Sequence, residues 1–424
     1  MRIASPKVLS LVLSTCLLTF PLASEQNVKK TIKEDLNKGR DKHLCMVLRK
    51  NIKRSLSLNA LRGLAKKENA QGLLDEIKAT RNTKLKNLGI SKGEFISLTH
   101  YINTIADDKT CRYDKKDTGL SHTIEYDRDT RKYFIVLQGD GVYLDRGAKK
   151  TVSKALCYKK NGGFVVARAE QTIEMDRELR FTKKFRGKPG LFKTLGICHH
   201  QEGDTQYHTI YSQLYQPGSL QAIFRKDYRL SFYEKVRIAH SITKGLYTMH
   251  KKGVVHRDLG IKNYLINIPK GKPGRRQIEA CIADFGRTQK ASTVISDPRL
   301  QGNTTYMAPE GHFFKKLTKN AHARLDVFAV GCVFYRLFYD KKGSWQNKNY
   351  VMRDPRPVSV KYREHKRRVI QATAKRREQL RKQQNRSPKA EFEYLILRML
   401  HTDPKKRVDA HTAYRTLIRI SKRV

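Results

Sequence analysis

Apolar and polar residues change their spacing several times along the chain, and each change predicts a different kind of element. An apolar run spans Val8 to Phe20. From Gln26 to about Asp108 the chain is Lys-rich, and apolar residues recur at helical spacing: Leu44, Val47 and Leu48 fall on one face, as do Leu73, Leu74 and Ile77. This predicts a small basic helical module over residues 25–121, without sustained heptads or internal repeats. Near His122 the pattern turns to alternation. HTIEYDRDTRKYFIVL reads as two strands with a turn at Asp127 to Thr130, and marks a domain boundary. ICHHQEGDTQYH, flanked by apolar residues, reads as strand, turn, strand rather than as a metal site. IPKGKPGRRQ reads as a lengthened hairpin. Val360 to Lys389 is almost purely polar and predicts an exposed basic helix.

Length and composition narrow this picture. The 424 residues suffice for one bilobal domain with extensions. Lys and Arg number 88 against 39 Asp and Glu, a formal net charge of +49, which attracts anionic partners: membrane, acidic protein or nucleic acid. Charge aside, no nucleic-acid recognition motif is present, and basic and aromatic residues do not interleave. Seven cysteines are scattered without a CxxC pair, so they form no disulfide framework. At the N-terminus, Arg2 and Lys7, the apolar run, then Ala23 and Ser24 make the three-part layout of a secretory signal peptide over residues 1–24. The run is short for a membrane span. Unpaired thiols behind an export signal suggest a reducing final compartment, such as another cell's cytosol.

The candidate chemistry lies further on. In HRDLGIKNYLI, Asp258 precedes Asn263 by five residues, the spacing at which a phosphoryl-transfer loop orients a hydroxyl with its Asp and holds a metal with its Asn. CIADFGR follows with Asp284, then GNTTYMAPE with Ala308, Pro309 and Glu310, RLDVFAVGCVFYRLF with Asp326, and HTDPKKR with Arg407. Five strings in this order resemble the protein kinase family over roughly the last three hundred residues. The resemblance implies an α+β, bilobal protein kinase fold, a small β-rich N-lobe (about 122–214) and a larger helical C-lobe (about 215–424, with the basic insert about 360–389), preceded by the basic helical segment. It implies ATP and Mg²⁺ as cofactors, Asp258 as the hydroxyl-orienting base, Asn263 and Asp284 as metal ligands, and an ion pair between Arg407 and Glu310. Arg257, before the catalytic Asp, would clamp a phosphate on the activation segment, where Thr288, Ser292, Thr293, Ser296, Thr304 and Thr305 are candidate acceptors.

Upstream, ELRFTKKFRGKPGLFKTLGI resembles the helix that carries the ion-pairing glutamate, at Glu178 with Glu174 as the alternative. SQLYQPGSL resembles the hinge that binds adenine through its backbone, at Gln213 and Tyr215, with small Ser212 at the rear of the pocket. The phosphate loop departs from the usual pattern. LDRGAKKTVSKAL keeps only Gly147, and the third strand, FVVARAE, lacks its lysine. With Ala167 against adenine, alternation puts Ala169 at the empty lysine position and turns Arg168 away. RGAKKTV is similar to the loop of with-no-lysine kinases, which implies that Lys150 holds the phosphates and pairs with Glu178. Arg168 after a slip in register, Lys149, Lys154, or no replacement at all stand as alternatives.

The resemblance therefore implies a protein kinase with protein substrates, and leaves a pseudokinase-like scaffold as the other reading. Neither serine/threonine nor tyrosine patterns are met at Gly260, Lys262 and Asn303; the look of GNTTYMAPE leans to serine or threonine. Behind a signal peptide, a bacterial eukaryotic-like kinase needs delivery to a space that holds ATP, such as a host cell; residence in the bacterial cytoplasm or at its membrane is the alternative.

Overall fold

The computed structural model describes residues 89–105, 111–139, 142–146, 150–158, 163–172, 176–226, 228–269, 271, 274–293, 304–311, 319–341, 346 and 357–424. Residues 1–24, read as a signal peptide, and most of residues 25–121, read as a basic helical module, lie outside these residues. Among the described residues no helix is long and apolar enough to cross a membrane.

Helix α1 (Lys92–Thr104) opens on a capping box: Glu94 N–H donates to Ser91 Oγ while Ser91 N–H donates to the Glu94 carboxylate. Leu98 and Ile102, one turn apart, are buried with Ile90 against Ile124, Ile135 and Leu156. The boundary drawn at residue 122 thus cuts through a hydrophobic cluster. Strand β1 (Arg112–Tyr113) and helix α2 (Lys115–Thr118) lead into β2 (Ile124–Asp127) and β3 (Lys132–Val136), the hairpin read from alternation, with Asp127 bonding its turn.

Four elements follow: β4 (Tyr143–Arg146), β5 (Lys150–Cys157), β6 (Phe164–Thr172) and helix α3 (Asp176–Phe185). Strands β7 (Thr194–Glu202) and β8 (Thr205–Gln213) complete an antiparallel sheet ordered β1-β2-β3-β5-β6-β8-β7, with β4 on β5. The sheet curls until β2 lies against β7, where Arg186 pairs with Asp127 at 3.0 Å and Lys132 Nζ donates to the Leu195 carbonyl. Inside the curl, Phe134 stacks on Tyr211 with 3.8 Å between ring centroids. A Cβ at Gly196 would meet the Phe134 ring at 2.4 Å, so only glycine admits this packing.

The second lobe is helical. Strand β9 (Pro217–Ser219), helix α4 (Leu220–Arg225) and helix α5 (Phe232–Lys251) are followed by β10 (Val254–Val255), β11 (Tyr264–Asn267), β12 (Glu279–Ile282) and β13 (Gln289–Lys290). Then come α6 (Lys319–Tyr339), α7 (Val358–Lys382), α8 (Pro388–Met399) and α9 (Ala410–Ser421). The apolar run of α6 packs into the centre of one large core with α5, α8 and α9. A bilobal kinase fold is the result, with a β-rich first lobe and a helical second lobe. The lengthened hairpin between β11 and β12 is pinned to the start of α5, where Arg276 Nε donates to Glu234 at 2.7 Å. The basic helix α7 is not wholly solvated: Val369 and Leu380 are buried, and Arg376 grips Glu393 of α8 through two bonds of 2.8 and 2.9 Å.

The segment between α3 and β7 crosses α5 at a point of close approach. A Cβ at Gly245 would lie 2.2 Å from the Gly190 carbonyl oxygen, and one at Gly190, where φ is +74°, 2.4 Å from the Gly245 nitrogen. Gly245→Ala is expected to force the two backbones apart at a cost of about 2 kcal/mol, read as a fall in Tm of several degrees; an unchanged Tm would show that the crossing yields without strain.

Candidate active site

The loop that carries Asp258 is held from below by one buried carboxylate. Asp326, in the middle of α6, accepts from the His256 and Arg257 backbone N–H groups at 2.8 and 2.9 Å and from His250 Nε2 at 3.0 Å. Burial alone would raise the Asp326 pKa, but the His250 bond and the neighbouring imidazole and amide donors hold it below the ordinary carboxylate value. Arg257 itself sits at φ +74°, a left-handed backbone that a non-glycine residue adopts only under constraint from its surroundings. The charge of Arg257 depresses the His322 pKa after burial has done most of that work. Of its proposed phosphate partners, Thr288 and Thr305 are buried, Ser292 is exposed, and Ser296 lies outside the described residues.

Two hydrogen bonds to backbone carbonyls bring the metal-ligand candidates together. Asn263 Nδ2 donates to the Asp258 carbonyl at 2.7 Å, and Ala283 N–H donates to the Asn263 carbonyl at 2.8 Å. The β11–β12 ladder, Tyr264 opposite Ile282, fixes this register. Asp284, at φ +65°, follows directly, with Oδ1 accepting from Gly286 N–H at 3.3 Å. Phe285 is buried between His256 and Phe185, at centroid distances of 5.9 and 5.5 Å. The catalytic loop is thereby packed, ring on ring, against the helix that carries Glu178.

Across the cleft, Lys150 Nζ donates to Glu178 Oε1 at 2.6 Å. Burial works against the ammonium, yet the charges of Glu178 and Asp284 outweigh it and the Lys150 pKa is raised. In the β5–β6 register Lys150 stands opposite Gln171, Val152 opposite Ala169 and Lys154 opposite Ala167, so all six share one face. Ser212 is buried and pairs with Ala167 across the β6–β8 ladder. Gln213 donates from Nε2 to Glu279 at 3.1 Å, and Tyr215, just beyond the strand, is buried, its phenol pKa raised by desolvation and by Cys281. Gly147, Lys149 and Glu174 lie outside the described residues.

Arg168 is a correction. It occupies the opposite face of β6, opposite Ser153 and Tyr211, and its guanidinium donates to Glu125 at 2.7 Å and to Glu170 at 2.7 and 3.0 Å. Tyr211 Oη donates to the other Glu125 oxygen at 2.9 Å. Burial disfavours the Arg168 cation, but Glu125 and its neighbours raise its pKa further still. No register slip occurs, and Arg168 is excluded from the nucleotide face by its buried carboxylate partner on β2.

Two further ion pairs frame the site. Arg407 binds Glu310 through both terminal nitrogens, at 2.6 and 3.0 Å, in a buried fork. Arg287, unassigned in the sequence reading, brings Nε to 3.6 Å from Asp258 Oδ2. Its one sequence signal is its place directly after DFG.

Residues 146–417 match the protein kinase domain family. A mouse protein named dual specificity testis-specific protein kinase 2 is 31% identical over 148 residues, 34% of this chain and 24% of the relative. The human dual specificity testis-specific protein kinase 1 is 29% identical over 169 residues, 38% of this chain and 24% of the relative. A serine/threonine-protein kinase of Saccharomyces cerevisiae, BCK1/SLK1/SSP31, is 26% identical over 153 residues, 35% of this chain and 10% of the relative. The matches thus span a quarter or less of these relatives' length.

The placement of Arg168 has a measurable consequence. Arg168→Met is expected to cost about 3 kcal/mol of stability, because it leaves the buried Glu125 with Arg112, at 3.4 Å, as its remaining cation. Chemical denaturation reads this directly, and combining it with Glu125→Gln is expected to recover part of the loss. A single variant as stable as the wild type would place Arg168 elsewhere.

Proposed function

The chain belongs to the protein kinase family, and from that membership we propose that it transfers the γ-phosphate of ATP to protein hydroxyls, serine and threonine ahead of tyrosine. The observation that carries this reading is the 2.6 Å pair between Lys150 and Glu178 on the face of the cleft shared with Ala167 and Ala169. What the chemistry needs is a positive charge at that point in space, whichever strand supplies it. Lys150 takes the role of the absent third-strand lysine, as in the with-no-lysine kinases whose loop RGAKKTV resembles. The preference for serine and threonine is supported by the names of the relatives, which are serine/threonine and dual specificity kinases.

Each residue then has a task. Asp258 orients the acceptor hydroxyl and takes its proton, on a loop held by Asp326. Val152, Ala167 and Ala169 offer small apolar surface to the base, while Gln213 and Tyr215 mark the hinge. Among the described residues no cluster of three or more His, Cys, Asp or Glu stands ready as a metal site. Asp284 and the side-chain Oδ1 of Asn263, whose Nδ2 bonds Asp258, are two hard oxygen donors of the kind a divalent cation such as Mg²⁺ takes. Such a cation, held by Asp284 and Asn263, would neutralise charge on the phosphates. A scaffold without chemistry has no use for this combination of groups.

The exposed side of α7, with Arg363, Arg367 and Lys375, is proposed to contact anionic membrane or acidic protein. Export to an ATP-containing compartment remains the proposal for the site of action.

Purified protein is expected to incorporate phosphate into an acceptor protein. Asp258→Asn abolishes transfer and leaves nucleotide affinity nearly intact, whereas Asp284→Asn weakens nucleotide binding in the presence of Mg²⁺ as well. Equal incorporation by wild type and Asp258→Asn would end the enzyme reading.

A further inference from the structure

On the catalytic loop the position two residues after Asp258 is Gly260, with no side chain to meet the nucleotide, and the exposed Lys262 stands two residues further on. Lys150 is committed to Glu178 across the cleft. Two carboxylates, Asp258 and Asp284, serve the region where the most highly charged group of the nucleotide must arrive. Arg287 adds a cation beside Asp258 from the segment that follows DFG. It follows Gly286, its side chain is 39% exposed, and its Nε stands 3.6 Å from Asp258 Oδ2.

Distance decides what such a guanidinium reaches. The carboxylate of Asp258 has to lie within about 3 Å of the acceptor hydroxyl. That oxygen approaches the γ-phosphorus to about 3 to 3.5 Å. A cation in ion-pair range of Asp258 is therefore no more than one side-chain rotation from the equatorial oxygens of the γ-phosphate. The contact to Asp258 is made by Nε, and a planar guanidinium fork can bridge a carboxylate and a phosphate in a way that a point-charge ammonium cannot.

We propose that Arg287 is a catalytic residue that contacts the γ-phosphate during transfer, an arginine supplied in cis from the segment after β12; this rests on the kinase reading above. In the step it serves, the acceptor oxygen forms its bond to the γ-phosphorus as the bond to the β,γ-bridging oxygen breaks. The bridging oxygen leaves with the electron pair on ADP, and the hydroxyl proton passes to Asp258. Arg287 stabilises the charge spread over the three equatorial oxygens, and its pairing with Asp258 keeps it there before nucleotide arrives.

The test compares wild type, Arg287→Met and Arg287→Lys by calorimetric binding of Mg²⁺ with ADP and with a non-hydrolysable β,γ-imido ATP analogue, and by transfer to an acceptor protein. Loss of one charge-assisted contact is expected to weaken the triphosphate analogue about tenfold in Arg287→Met while ADP binds as before. The transfer rate is expected to fall roughly 100-fold, with Arg287→Lys recovering part of both effects. An unchanged ratio of triphosphate to diphosphate affinity overturns the proposal, and so does a raised transfer rate, which would make the Asp258 contact a brake. If wild type transfers no phosphate, the kinase reading fails, while the affinity ratio still decides whether Arg287 meets the γ-phosphate.

Discussion

Side chains alternate across a β-strand, and along β6 that constraint decides which cation the cleft receives. Ala167 and Ala169 take the cleft face, small enough to admit a base, while Arg168 is turned into the curl of the sheet beside Glu125, Glu170 and Tyr211. A strand cannot offer both of its faces to one ligand. With the third-strand lysine absent, the charge has to come from a neighbouring strand, and Lys150 at the start of β5 is in register to supply it.

The curl of the first lobe depends on the same choice. Glu125 enters from β2, a strand that precedes the matched family region, and its carboxylate accepts from Arg168 and Tyr211, with Arg112 at the longer distance of 3.4 Å. Without Arg168, a buried carboxylate beside the stacked rings of Phe134 and Tyr211 would keep only the longer Arg112 contact as a charge partner. The extra hairpin and the helix α1 therefore belong to the catalytic lobe energetically as well as spatially. In the second lobe Asp326 plays a comparable part, since one ionised group in the core sets the backbone of the loop that carries Asp258.

Much of this was legible in the sequence because short strings in a fixed order carry their own geometry. HRDLGIKN, DFG, APE and the distant Arg407 occupy one connected region, and the hairpin after His122 followed from alternation alone. Alternation also turned Arg168 away from the face of Ala167 and Ala169, whereas Lys150 was implied only by the resemblance of RGAKKTV to the with-no-lysine loop. What escaped depends on contacts between segments remote in sequence. The partner of Arg168 lies 43 residues upstream, in a hairpin with no motif of its own. Leu98 and Ile102 are one turn of apolar residues within a Lys-rich stretch, too short a pattern to reveal that α1 docks on the sheet. The basic helix α7 reads as solvated because its two buried apolar residues, Val369 and Leu380, are eleven positions apart among cations. Arg287 follows a familiar string and gained meaning only when the loop folded beside it.

If charge at one point in the cleft is what matters, the lysine can be moved back. The direct measurement is the rate of phosphate transfer to an acceptor protein by wild type, by Lys150→Gly, and by Lys150→Gly combined with Ala169→Lys. The expected result is a loss of at least roughly 100-fold in the single variant and substantial recovery in the double one, where the ammonium again meets Glu178 from β6. Transfer by Lys150→Gly at the wild-type rate would contradict the assignment of Lys150 as the cation of the cleft.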